Sequence, residues 1–203
     1  MNEKAPILVV EDVPDTLELV KVTLTFKGYN VITARNGREA LEMVQQSHPA
    51  LIVTDILMPQ MDGFSLVHRL RIDPDTRGIP VIFLSATYVA PEDKEFAAAI
   101  GVTRFLEKPI VIDEFLRTVS ELLSHGLLAD SKPLDARRFF EGYRERLEVK
   151  LKQKVSQIAR TQSMLETLPE EEKKSFKISL QEAIEERDEI QALLDQIHKQ
   201  AGK

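Results

Sequence analysis

Five short apolar runs, at residues 7–10, 31–33, 51–54, 81–84 and 103–106, recur through the first 125 residues, and a helix-period stretch follows each of them. That alternation constrains the fold more than any other feature of the chain. Most of the runs lack polar alternation, as parallel strands do when both faces are covered. The stretches between them read as helices. The first opens at Pro14, carries Leu17, Val20, Val22 and Leu24, and stops at Gly28, a candidate left-handed cap. The others span 37–46, 64–71, 92–100 (stopped by Gly101) and 112–124. Five strand–helix units in succession imply an α/β domain with a doubly wound, five-stranded parallel sheet. Ligands of such sheets bind beyond the carboxyl ends of the strands.

Polar residues gather at those ends: Glu11 and Asp12 after the first strand, Asp55 after the third, Ser85 after the fourth and Lys108 after the fifth. An ionised carboxylate at the end of a buried strand is costly unless something pairs with it. Three packed together repel one another, each pair at ~4 Å by about 4 kcal/mol at an effective dielectric of 20. A cation resolves the conflict, and all-oxygen ligands with room for water suit Mg²⁺. Lys108 supplies a second positive charge, and the Ser85 hydroxyl can donate to an anionic oxygen. This set fits phosphoryl transfer, with Asp55 as the nucleophile that becomes an aspartyl-phosphate. In the following segment Met58-Pro59 and Met61-Asp62-Gly63 read as a tight connection, with Asp62 as a helix cap. His48, His68, His125 and His198 share no ligand spacing and read as surface residues without chemistry.

The blocks ILVVEDVPD, LIVTDILMPQMDG, VIFLSA and FLEKP stand in an order and spacing that resemble the signature of response-regulator receiver domains of two-component signalling. The resemblance covers about residues 5–125. It implies a flavodoxin-like receiver in which the phosphohistidine of a sensor histidine kinase or phosphotransfer protein phosphorylates Asp55. It further implies that Asp12 binds Mg²⁺ directly, Glu11 through water, and that the Leu57 backbone carbonyl is a ligand. Ser85 and Phe105 are the implied switch pair, Lys108 the phosphoryl contact, and Pro109 is expected to follow a cis bond. Glu11, Ser85 and Phe105 depart from the commoner Asp, Thr and Tyr, so no phenol is available to hydrogen-bond as the ring turns. Leu57 and Thr87 flank the site, where they would tune the phosphoryl lifetime. A switch of this kind is not an enzyme beyond its own phosphorylation and dephosphorylation.

The texture changes after Gly126. The expected organisation is a receiver over 1–126, a linker over 127–133, and a helical region over 134–203. Phe140, Tyr143, Leu147, Leu151, Val155, Ile158, Leu165 and Leu168 form one stripe; Phe176, Leu180, Ile184, Ile190, Leu194 and Ile197 form a second. Leu168-Pro169-Glu170 reads as the turn between two helices of about 30 residues, so about 45 Å, each. The result is an all-α antiparallel hairpin or coiled coil. Residues 137–160 carry eight Lys and Arg against three acids, whereas 178–198 carry six acids and Arg187. A basic helix therefore faces an acidic one. Because half of such a hairpin's surface faces water, the expectation is a homodimer, most simply a four-helix bundle.

Charge and composition narrow the partners. Of the net −6, residues 1–130 hold −7 and the remainder +1. An acidic first part makes nucleic-acid binding there unfavourable, and after residue 126 only the basic helix 137–160 offers a nucleic-acid output as an alternative. There is no cysteine, which suits a cytoplasmic setting. No apolar run nears the ~18–20 residues that span a bilayer, and the N-terminal apolar stretch is too short for a signal peptide. The expected output is protein–protein interaction, through the hairpin or through the receiver itself.

Overall fold

The computed structural model describes residues 5–86, 90–125, 135–167, 169 and 173–201. Its elements, in chain order, are β1 (Ile7–Val10), α1 (Pro14–Phe26), β2 (Val31–Ala34), α2 (Gly37–Ser47), β3 (Leu51–Asp55), α3 (Gly63–Ile72), β4 (Val81–Ser85), α4 (Pro91–Ala99), β5 (Arg104–Glu107), α5 (Ile112–His125), α6 (Ala136–Thr167) and α7 (Lys173–Ala201). They form two separate compact units that divide between residues 135 and 136. The linker expected at 127–133 and most of the turn expected at 168–172 lie outside the described residues.

In the first unit the strands pair in the order β2-β1-β3-β4-β5, every neighbour parallel. Side chains alternate across the sheet. Ile7, Val9, Leu51, Val53, Ile82 and Leu84 face a cluster with Val20 and Leu24 of α1 and Phe115, Val119 and Leu122 of α5. On the opposite face the ring of Phe83 meets Phe64 of α3 edge-on, 5.3 Å between centroids. The three central strands are almost wholly buried, whereas β2 and β5, at the edges, are partly exposed. This is the doubly wound sheet expected from the sequence.

Two local readings need correction. Val22 does not join the core of α1 but is exposed, as are Leu19 and Phe26. At 100° per residue it lies about 200° from both Val20 and Leu24, which hold the buried face. His68 is buried, not at the surface, because α3 is covered along Phe64, Leu66, Val67, His68, Leu70 and Arg71. His48 and His198 are exposed, and the His125 side chain lies outside the described residues.

The helix ends follow their local chemistry. Gly28 (φ 83°) and Gly101 (φ 96°) adopt the left-handed conformation expected of glycines that end helices. At Gly101 the carbonyl also accepts from Arg71 Nε (3.1 Å) and Nη2 (2.8 Å). Arg71 is 1% exposed, and burial lowers its pKa to about 10, so it stays protonated against the negative end of α4. A Cβ on Gly101 would lie 2.7 Å from Arg71 Nε, a second reason for glycine there.

In the second unit α6 and α7, of 32 and 29 residues, pack as a hairpin. Lys154 pairs with Glu186, while Arg137 and Phe140 lie beside Ile197 and His198. Partners thus move backward along α7 as they advance along α6, which makes the pair antiparallel. The α7 seam follows the expected stripe at Ile190, Leu194 and Ile197, with Ala183 and Leu193 also buried. On α6 the seam keeps Tyr143, Leu147 and Ile158 of the expected stripe but has Phe139, Lys150 and Lys154 in place of Phe140, Leu151 and Val155. Phe140, Leu151 and Leu165 are only partly buried, and Val155 is 50% exposed. Leu168 lies outside the described residues. The physical reason is that Lys150 and Lys154 lay aliphatic stems along the seam, and Glu186 receives the Lys154 ammonium.

Candidate functional site

Strand register builds the site. Parallel pairing sets Val10 against Thr54, Asp55 against Leu84, and Ser85 against Glu107. Residues at or just past those positions therefore reach one edge of the sheet together. There Glu11, Asp12 and Asp55 each place a carboxylate oxygen within 4.8 Å of the others. The Lys108 ammonium donates to Glu11 Oε2 at 2.8 Å and to Asp55 Oδ2 at 3.1 Å. The Ile56 N–H donates to Asp55 Oδ1 at 2.7 Å, so both oxygens of Asp55 have a partner. Val13 N–H donates to Glu11 Oε1 at 3.3 Å. Lys108 reaches this position from the end of β5, where its N–H donates to the Ser85 carbonyl at 3.0 Å. The Lys108–Pro109 bond is cis.

The other anticipated residues fall around this cluster. Ser85 is buried at the end of β4. Leu57 sits in the connection from β3 to α3, two residues past Asp55. Phe105 lies within β5, half-buried, with its ring 6.3 Å from Phe83 and the Lys94 ammonium 5.7 Å above it. Lys94 also pairs with Glu107 at 2.6 Å. Asp62 caps α3, accepting from the Ser65 N–H (3.0 Å) and hydroxyl (2.8 Å). Thr87 lies outside the described residues. One contributor went unnoticed in the sequence: a Cβ on Gly63 would lie 2.4 Å from the Asp55 carbonyl oxygen, so only glycine lets α3 start this close to Asp55. The Asp-Gly pair signalled a turn, but not what the turn approaches.

The electrostatics fit a hard cation. Burial raises the pKa of Glu11, and the Asp55 charge adds to it; Lys108 only partly offsets the two. Burial likewise raises Asp12, and raises Asp55, with Asp12 adding a smaller push. For Lys108 burial opposes the charge, but Asp55 and Glu11 outweigh it and hold the pKa above the usual lysine value. Three carboxylates against one ammonium leave an all-oxygen donor set with excess negative charge, which fits Mg²⁺.

A stability prediction follows from these directions. Without divalent cation the folded protein binds more protons at the three acids than the unfolded chain does. Their contribution is fully present below the ordinary values of 4.5 and 3.8 and is lost as pH rises through the raised ones. Lys108 does not change sign in this window. The metal-free melting temperature should therefore fall as pH rises above the ordinary carboxylate range. Added Mg²⁺ should raise it, increasingly so as pH rises, because the cation requires the ionised acids. Thermal melts with Mg²⁺ or with chelator check this; a Mg²⁺ effect independent of pH contradicts it.

Comparison with known proteins agrees with this geometry. The model of the response regulator receiver domain matches residues 7–120. Response regulator PleD of Caulobacter vibrioides is 40% identical over 106 residues, 52% of this chain and 23% of PleD. Response regulator Rre1 of Synechocystis is 33% identical over 146 residues, 71% of this chain and 63% of Rre1. The chain thus spans under two thirds of either relative. Among solved structures it is similar to the receiver domain of sensor histidine kinase PA1611 from Pseudomonas aeruginosa, with a magnesium ion coordinated in its active site cleft. That likeness has a TM-score of 0.55 at 26% identity and covers 60% of this chain and 98% of that one. With its parallel five-stranded sheet and an acidic cluster at the strand ends, the chain belongs to the response regulator receiver domain family.

Proposed function

We propose that this chain is a phosphorylation-controlled switch in which Asp55 accepts a phosphoryl group and the helical hairpin carries the output. The observation behind it is the Lys108 ammonium held between Glu11 and Asp55, in a cluster of three carboxylates at one sheet edge. The donor is a phosphohistidine of a sensor histidine kinase or phosphotransfer protein. An Asp55 oxygen attacks phosphorus in line as the P–N bond breaks, and the imidazole keeps the bonding electrons. The Ile56 N–H holds one Asp55 oxygen in orientation, and Lys108 stabilises negative charge on the phosphoryl oxygens. Glu11, Asp12, Asp55 and the Leu57 carbonyl would hold Mg²⁺, which supplies charge neutralisation when bound. The Ser85 hydroxyl then bonds a phosphoryl oxygen, and Phe105 turns with it. The chemistry ends with the chain's own phosphorylation and dephosphorylation. Among the described residues no helix is long and apolar enough to cross a membrane, and a cytoplasmic location completes the reading.

For the output we favour protein–protein interaction, with homodimerisation of the hairpin as a four-helix coiled-coil bundle. A nucleic-acid output through 137–160 has less support. Lys150 and Lys154 turn into the seam, and Arg137 and Arg144 pair with Glu141 and Glu148 on their own helix.

Two measurements test the proposal. Lys108→Ala should accept phosphoryl label but lose phosphorylation-dependent partner capture; capture at the wild-type level rejects the assigned role. Sedimentation of the full chain should show a dimer that persists in high salt, as an apolar bundle requires. A monomer at micromolar concentration rejects the bundle.

A further inference from the structure

The connection from Asp55 to α3 carries the Leu57 carbonyl, and three close approaches determine its shape. At its start, the Thr54 hydroxyl donates to the Asp55 carbonyl at 2.8 Å. The Gly63 N–H donates back to the Ile56 carbonyl at 2.8 Å and closes the loop onto its own origin. Near its end, the Met61 N–H donates to the Pro59 carbonyl at 2.7 Å, a tight turn that leaves Gln60 at a φ of 65°. Non-glycine residues adopt that conformation uncommonly.

A further contact to this turn comes from α2. The first N–H groups of a helix have no intrahelical acceptor, and in α2 those of Gly37, Arg38 and Glu39 each find one outside the helical ladder. Arg38 and Glu39 donate to the Asn36 side chain, each at 3.0 Å. Ala40 makes the first intrahelical bond, to the Asn36 carbonyl at 3.0 Å. The remaining one, on Gly37, donates to the Met61 carbonyl at 2.9 Å. The approach leaves no room for a side chain: a Cβ on Gly37 would lie 2.8 Å from both Met61 O and Met61 Cγ. Glu39 stiffens this end of the helix by accepting from the Arg35 N–H (2.9 Å) and the Asn36 amide (3.1 Å).

We propose that Gly37 is a positioning residue for the metal site: its N–H and missing side chain let α2 clasp the Met61 carbonyl and so place the Leu57 carbonyl. The proposal rests on the phosphoacceptor reading given above. Adding a Cβ forces Met61 O back by roughly half an ångström, towards ordinary contact distance. Ile56 is anchored by Gly63, so residues 57–61 absorb that shift while Asp55 stays in place. Groups that hydrogen-bond a ligand directly are worth about 10–100-fold in metal affinity, and Gly37, acting through Met61, should reach the lower end of that range.

Titration calorimetry with Mg²⁺ as the probe tests the proposal on the full chain. Gly37→Ala should bind Mg²⁺ at least about tenfold more weakly than wild type. Asn36→Ala, which removes a cap but adds nothing against Met61, should lower the melting temperature and keep wild-type affinity. Gly37→Ala within about twofold of wild type overturns the inference, as does loss of affinity in both variants in proportion to their melting temperatures. A second readout needs no variant. Because coupling is reciprocal, Mg²⁺ should slow hydrogen exchange at the Gly37 amide more than at His48, which ends the same helix. Unchanged Gly37 exchange overturns the clasp. Wild-type protein that shows no saturable Mg²⁺ binding would overturn the reading of the acidic cluster and this inference with it. Wild-type binding with an unaffected Gly37→Ala overturns the clasp alone.

Discussion

Asp55→Asn takes up no phosphoryl label from an acyl-phosphate donor or a phosphorylated kinase, while the wild-type chain acquires one hydroxylamine-sensitive label. The expected loss is on the order of 10³-fold or more, because a carboxamide offers no nucleophilic oxygen of comparable strength. Asparagine keeps the shape of the side chain and an acceptor for the Ile56 N–H, while its NH2 group cannot accept from Lys108, which keeps Glu11 as its partner. Folding is preserved for a reason already visible in the electrostatics. The pKa of Asp55 is raised, chiefly by burial, so the site accepts a neutral side chain at least as readily as a charged one. Removing that charge also relieves the push that Asp55 exerts on Glu11. The metal-free variant should therefore stay folded and melt close to wild type at neutral pH, a combination that separates lost chemistry from lost structure. Hydroxylamine-sensitive label that persists in Asp55→Asn would place the acceptor elsewhere.

Phe64→Ala is the substitution with the largest expected effect on stability. Phe64 is fully buried in the first turn of α3, directly after the Gly63 that approaches the Asp55 carbonyl. Its ring meets Phe83 of β4 edge-on at 5.3 Å and Phe96 of α4 at 5.3 Å. Three elements thus share one aromatic contact, and truncation leaves a cavity that none of them can close alone. The cost should be about 3–5 kcal/mol, a large share of the ~5–15 kcal/mol that holds a typical domain. Urea unfolding followed by circular dichroism measures it, and a loss below about 1.5 kcal/mol would show that the three elements collapse into the gap. Because α3 begins at the connection that carries Leu57, the variant should also bind Mg²⁺ more weakly.

The two units differ in how much of their structure could be read from residue order. In the receiver, the central strands are short, largely apolar runs, and β1, β3, β4 and β5 carry the candidate site residues at or just past their ends. Glu11, Asp12, Asp55, Ser85 and Lys108 could therefore be grouped before any coordinates, since parallel strands in register deliver their carboxyl ends to one edge. In α6 the same kind of reading found Tyr143, Leu147 and Ile158 but took Phe140, Leu151 and Val155 where the seam has Phe139, Lys150 and Lys154, each one residue earlier. Phe139 and Phe140 are adjacent and equally apolar, so hydropathy cannot choose between them. Lys150 and Lys154 scored as polar, yet their stems are apolar and Glu186, far along the chain, receives the Lys154 charge. Val22 on α1 shows the reverse case: an apolar residue inside a helical pattern whose angle points it away from the sheet.

By itself the sequence determined the strand–helix alternation, the helix stops at Gly28 and Gly101, and the polar residues that meet at the sheet edge. These rest on local chemistry: β-branched runs, glycine's access to positive φ, and the fixed direction of parallel strands. Tertiary structure alone decided which groups pair and which backbones touch. It brought Lys108 to Glu11 as well as to Asp55, turned His68 and Arg71 inward, and set Gly37 against Met61 and Gly63 against Asp55. Each of these depends on distances between segments far apart in the chain or across a folded loop. A glycine that lets two backbones meet looks, in sequence, like any glycine that opens a turn.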